Sequence, residues 1–99
     1  MKQLELVKSW LKSRRSIYFF LPNGPYGRPF DNQYYVDEVK ELVGGFSIHF
    51  TDGLVLEFSG DVAVLETEGK LIIENFRTCV FEINGKVKAE FDYGHVSLC

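Results

Sequence analysis

Apolar side chains recur at Leu4, Val7, Trp10 and Leu11, with Leu6 widening the stripe, and charged or small polar residues fill the positions between them. That i, i+3, i+4, i+7 spacing belongs to a helix with one buried face, and it predicts a helix within residues 1–15. After Ser16 the pattern changes to Ile17-Tyr18-Phe19-Phe20-Leu21. This run of β-branched and aromatic residues predicts a short buried strand in 16–21 that stops at Pro22. From Tyr34 onward apolar and polar residues alternate, and strands are expected at 34–42, 46–50, 54–59, 62–67, 71–76, 78–83 and 87–93. Gly-containing turns separate them roughly every 8–10 residues. Residues 22–33 read as a Pro/Gly loop, 34–93 as a meander and 94–99 as a C-terminal tail. The fold class is therefore α+β and mainly β: an N-terminal amphipathic helix packed on an antiparallel meander of about seven to eight strands, in a roll, sandwich or small barrel.

Two hairpins can be read to the residue. If Asp52-Gly53 formed a two-residue turn, Phe50 would face Val55, and the apolar sets of the two strands would fall on opposite faces. A three-residue Thr51-Asp52-Gly53 loop instead pairs Phe50 with Leu54 and Phe46 with Phe58, and places Gly53 at positive φ next to a bulge. At Asn84-Gly85 the same reasoning pairs Ile83 with Val87, Phe81 with Ala89 and Cys79 with Phe91, which requires an odd-length loop and a bulge.

Ninety-nine residues, 45% of them apolar, make one domain with a core and exclude a disordered chain. The apolar runs at 17–21 and 62–65 are far shorter than the ~18 residues that span a bilayer, so neither a membrane segment nor a secretory signal is expected. Cys79 and Cys99 have no paired spacing and read as free thiols in a reducing, cytoplasmic setting. The net charge of −3 is unevenly spread. Lys2, Lys8, Lys12, Arg14 and Arg15 against Glu5 alone give residues 1–15 a net +4, and the rest of the chain is net −7. The helical cations read first as a solvated face, with Lys12, Arg14 and Arg15 complementing the negative end of the helix. The chain lacks the basic total and aromatic interleaving of a nucleic-acid platform, so no nucleic-acid partner is expected.

All three prolines lie in Pro22-Asn23-Gly24-Pro25-Tyr26-Gly27-Arg28-Pro29, which Phe30-Asp31-Asn32-Gln33-Tyr34-Tyr35 follows. Prolines restrict both themselves and the residues before them, while Gly24 and Gly27 allow unusual dihedrals, so this loop is expected to be rigid. Its candidate binding residues are Arg28, Asp31, Tyr26, Asn32 and Tyr34. Arg28 offers a planar fork of donors for carboxylate or phosphate, with aromatic neighbours to stack on it. The plainer alternative has Arg28 pairing with Asp31, Asp31 or Asn32 capping the turn, and Tyr26 and Phe30 plugging the core. The segment from Gly24 to Gln33, a Gly-x-x-Gly-Arg-Pro-x-Asp-Asn motif, resembles one found in small uncharacterised bacterial domains in which a β meander follows. Where that pattern has a His near position 34, this chain has Tyr34. The resemblance implies a shared fold and carries no activity.

No catalytic or metal-binding constellation stands out. His49 is expected to point outward between Ile48 and Phe50, and neither it nor His95 has a ligand partner at zinc spacing. No nucleophile elbow or glycine-rich phosphate loop is present, and no cofactor is expected. Glu57, Glu66, Glu68, Glu74, Glu82, Glu90 and Asp92 read mainly as outward charges that protect exposed strands. Three readings follow. The leading one is a small non-catalytic module that binds a protein partner, an immunity-type protein being an analogous class. The second is a small-ligand carrier or enzyme with a pocket under the Pro/Gly loop. The third is a homo-oligomeric structural subunit, such as a homodimer built by edge pairing.

Overall fold

The computed structural model describes residues 2–14, 16–22 and 34–99. Helix α1 spans Lys2–Lys12, with Glu5 in its first turn and Lys12 in its last, each complementing the local end of the helix dipole. Leu4, Val7, Trp10 and Leu11 are buried on one face, as the periodicity predicts, and Leu6 packs at the margin of the core.

Among the described residues, nine strands follow: β1 Phe19–Phe20, β2 Val36–Leu42, β3 Gly45–Phe50, β4 Leu54–Ser59, β5 Ala63–Thr67, β6 Lys70–Glu74, β7 Thr78–Ile83, β8 Lys86–Phe91 and β9 His95–Leu98. They form two antiparallel sheets, ordered β1-β9-β6-β5 and β2-β3-β4-β7-β8, and do not close into a barrel. The fold is thus α+β and mainly β. The meander breaks in the middle: the β5–β6 hairpin crosses to the other sheet, and β7 returns to pair with β4.

The expected strand over 16–21 is mostly replaced by a crossing between sheets. Ile17 exchanges both backbone hydrogen bonds with Tyr34, while Tyr18 exchanges both with Cys99. Adjacent residues therefore use opposite edges, and only Phe19 and Phe20 remain in regular register with β9. The expected strand over 87–93 ends at Phe91, and the expected tail at 94–99 is a strand lodged between β1 and β6. Gly94 makes this turn with φ +83° and packs on Pro22, whose Cβ would lie 2.8 Å from a Cβ at that position.

One core joins both sheets and the helix. Phe46 and Phe58 meet at 5.2 Å between ring centroids, and Phe19 of the first sheet reaches Phe50 and Phe81 of the second at 5.5 and 5.8 Å. Leu71, Ile73, Val96 and Leu98 complete it from the first sheet, all fully buried. Helix α1 contacts β5 and β2, an edge strand of each sheet, and so bridges one open side of the fold.

The β3–β4 hairpin has the expected register, with Phe46 opposite Phe58, Ile48 opposite Leu56 and Gly53 at φ +85°. At the β7–β8 hairpin, Cys79–Phe91 and Phe81–Ala89 pair as expected, but Ile83 faces Lys86 rather than Val87. The tight Asn84-Gly85 turn is kept, with φ of 52° and 81°, and the odd residue is absorbed by a bulge where Glu82 faces Val87. Val87 is consequently 59% exposed. Because Gly85 has open space around its Cα, a Gly85→Ala substitution meets only backbone strain. We expect it to cost about 1–2 kcal/mol, read as a lower urea midpoint at unchanged slope.

Candidate interaction groove

Lys8 and Lys12, at i and i+4, fall on one side of α1, Arg14 follows just beyond the helix end, and all three face the first half of β2. Between them runs an open groove of about 340 Å³, lined by Lys8, Leu11, Lys12 and Arg14 from the helical side and by Val36, Asp37, Glu38 and Val39 from β2. Leu11, Val36 and Val39 form its apolar floor, and the charges stand on its walls. Cations therefore confront carboxylates across a concave surface.

The cations are not equivalent. Arg14 is fully engaged: its guanidinium lies 3.7 Å from the Trp10 ring centroid and donates to the Trp10 carbonyl at 3.0 Å, the Ser13 hydroxyl at 2.9 Å and the Gly69 carbonyl at 3.1 Å. It ties the helix end to the β5–β6 turn and so holds the groove wall in place. Lys8 and Lys12 are exposed and make no ion pair among the described residues. Across the groove, Glu38 reaches Lys40 on its own strand at 3.5 Å, both side chains being about half exposed. Asp37 sits at a bulge, where the β2–β3 register shifts between Val36 and Glu38, and this aims an extra side chain at the groove end.

The other wall is a strand edge. Strand β2 pairs only with β3, and among the described residues no backbone bond leaves 36–42 on its other side. The two-residue Val43-Gly44 turn makes Leu42–Gly45 the hydrogen-bonded closing pair. Antiparallel alternation then directs the backbone groups of Val39 and Glu41 away from β3, toward the open side.

Of the candidate binding residues read from sequence, Tyr26, Arg28, Asp31 and Asn32 lie outside the described residues. Tyr34 is half-buried and belongs to the frame. Its backbone pairs with Ile17, and its ring lies 4.9 Å from Phe19 and 5.9 Å from Phe50. Burial pushes its hydroxyl pKa up, and the nearby Asp52 carboxylate pushes it further. Tyr34 precedes the groove residue Val36 by two positions.

His49 lies on the outer side of the β3 sheet, its Nε2 2.8 Å from the Ser47 hydroxyl oxygen. This pair is no nucleophilic site: Ser47 is only 2% exposed, and it lies in mid-strand rather than at a helix N-terminus or in a cleft. Among the described residues, no three His, Cys, Asp or Glu side chains converge as a metal site. Cys79 and Cys99 are free, and among the described residues no helix is long and apolar enough to cross a membrane. From sequence, Lys8 and Lys12 read only as a solvated face. The one signal of the groove is the charge contrast between the N-terminal segment and the rest. The chain matches no protein-family model, no curated protein and no solved structure.

Proposed function

We propose that this protein is a small non-catalytic interaction module whose partner surface is the groove between α1 and β2. The observation that carries this reading is the groove itself. It sets two lysines that make no ion pair among the described residues against a strand edge whose outward backbone groups bond to no other described residue, the combination that takes an extended polypeptide bearing acidic side chains. An immunity-type role is an analogous class for a small acidic protein, and the free thiols are in keeping with a reducing cytoplasm. The second reading, a small-ligand carrier, draws on the groove volume, which lies at the lower end of ligand pockets at roughly 300–1,000 Å³. Its mostly charged lining favours the polypeptide reading.

The test is a quantitative pull-down from cell lysate with wild type, Lys8→Glu/Lys12→Glu and Arg28→Ala, all three first shown to melt alike. The groove reading expects a retained protein that the double variant loses by at least tenfold. Loss with Arg28→Ala alone would move the site to the loop. Retention by both variants would reject the groove.

A further inference from the structure

Resting on the reading of this groove as a polypeptide-binding surface, we infer that its occupant is β2 of a second copy of this chain, so that two copies pair edge to edge about a two-fold axis at Val39. The open edges of the fold differ in what they allow. Helix α1 packs more extensively on β5 than on β2, and the chain just before β1 is bonded through Ile17 to Tyr34. Strand β8 carries Lys86 and Lys88 and is broken in its middle by the bulge. These are the devices that prevent edge pairing. Strand β2 has its bulge at one end, leaving Glu38–Leu42 in unbroken register with an edge that bonds to no other described residue.

Charge and backbone direction together choose the axis. The groups of Val39 and Glu41 that point outward need partners that also point outward, which a two-fold at Val39 or at Lys40 would supply. An axis at Lys40 sets the two Lys40 side chains against each other. An axis at Val39 lets the two Val39 residues exchange hydrogen bonds and puts each Glu38 opposite the other copy's Lys40. Glu38 and Lys40 lie on the outer face, level with His49 and Ser47, in the close non-hydrogen-bonded positions where side chains interact most strongly. The same axis brings Glu41 of one copy near Asp37 of the other. This like-charge contact falls beside the groove, where Lys8 and Lys12, exposed and in no ion pair among the described residues, stand ready to neutralise it. Each Glu38–Lys40 bridge within one copy is thus exchanged for one between copies, as an isologous interface requires. The result is a continuous sheet across the dimer.

Charge-swap variants test this by sedimentation over a range of concentrations. Wild type is expected to show concentration-dependent dimer. Glu38→Lys and Lys40→Glu each place like charges opposite one another at both contacts, and each should weaken self-association about tenfold or more. An equimolar mixture should dimerise again. In the mixed pair one copy carries two lysines at these positions and the other two glutamates, so both contacts regain opposite charges. Both changes are at exposed sites, so melting temperatures should match wild type. A wild type monomeric at every concentration overturns the proposal. So does a dimer that both variants preserve, or variants whose mixture fails to associate. The lysate pull-down with Lys8→Glu/Lys12→Glu reports on the groove independently, so loss of the second copy as occupant and loss of the groove as a surface give different results.

Discussion

Removal of residues 95–99 is expected to abolish cooperative folding. This stretch is β9, the second strand of its sheet, bonded to β1 on one side and β6 on the other. Val96 and Leu98 have no exposed surface, and each contributes about 1.5–3 kcal/mol by burial alone. Their loss also opens the core along Ile73 and Leu71, which face them across the β6 ladder. The backbone groups of β1 and β6 lose their partners too, at about 1 kcal/mol for each bond. These losses together reach the total stability of a domain this size, about 5–15 kcal/mol. A gentler variant, Leu98→Ala, should keep the strand and cost about 2–5 kcal/mol through the cavity it leaves. Urea unfolding followed by circular dichroism reads both. A truncated chain that still unfolds cooperatively with the wild-type slope would show that β9 adds no stability to the sheet.

That same strand marks the limit of what the sequence discloses. Helix α1 is legible because its signal is local: four apolar residues within one short segment define the buried face, and no distant partner is needed. The β3–β4 register is legible for a similar reason, since Phe46, Ile48 and Phe50 must share a face with Leu54, Leu56 and Phe58 across a short loop. Strand β9 offers only Val96 and Leu98 at period two, close to the chain end. Its partners at 19–20 and 71–74 are tens of residues away, and nothing local encodes that pairing. The excursion of the β5–β6 hairpin is hidden in the same way. Its strands alternate like those of a meander, and only the shared core with α1 decides that they leave the sheet of β2, β3 and β4.

The site follows the same rule. Lys8 and Lys12 can be placed on the exposed side of a helix, but the sequence does not say that this side overhangs the open edge of β2. The Pro/Gly loop stands out because its composition is unusual, whereas the groove is made of ordinary residues brought together by topology. Tyr34, read as a candidate binding residue at the start of the first long strand, pairs its backbone with Ile17 and lies in the aromatic cluster of Phe19 and Phe50.

Stability should fall steeply above about pH 9, with Cys79 responsible for much of the loss. Cys79 is fully buried between Phe58 and Phe91 in the β4–β7–β8 ladder, and desolvation pushes its thiol from 9.0 up to about 12. The folded chain therefore keeps this proton where the unfolded chain releases it. Because the unfolded state binds fewer protons in that window, the slope of unfolding free energy with pH is negative there, at about 1.4 kcal/mol per unit. The stabilisation is complete below the unfolded value and declines as pH rises from about 9 toward 12. Tyr34, whose pKa burial also raises, acts in the same direction at higher pH. Urea titrations at pH 8, 9, 10 and 11 under reducing conditions, with wild type beside Cys79→Ala, isolate the thiol. The alanine variant should be less stable at pH 8 because it leaves a small void, yet lose less stability than wild type between pH 9 and 11. Parallel pH profiles would mean that the thiol ionises equally in both states, and would place Cys79 in contact with water.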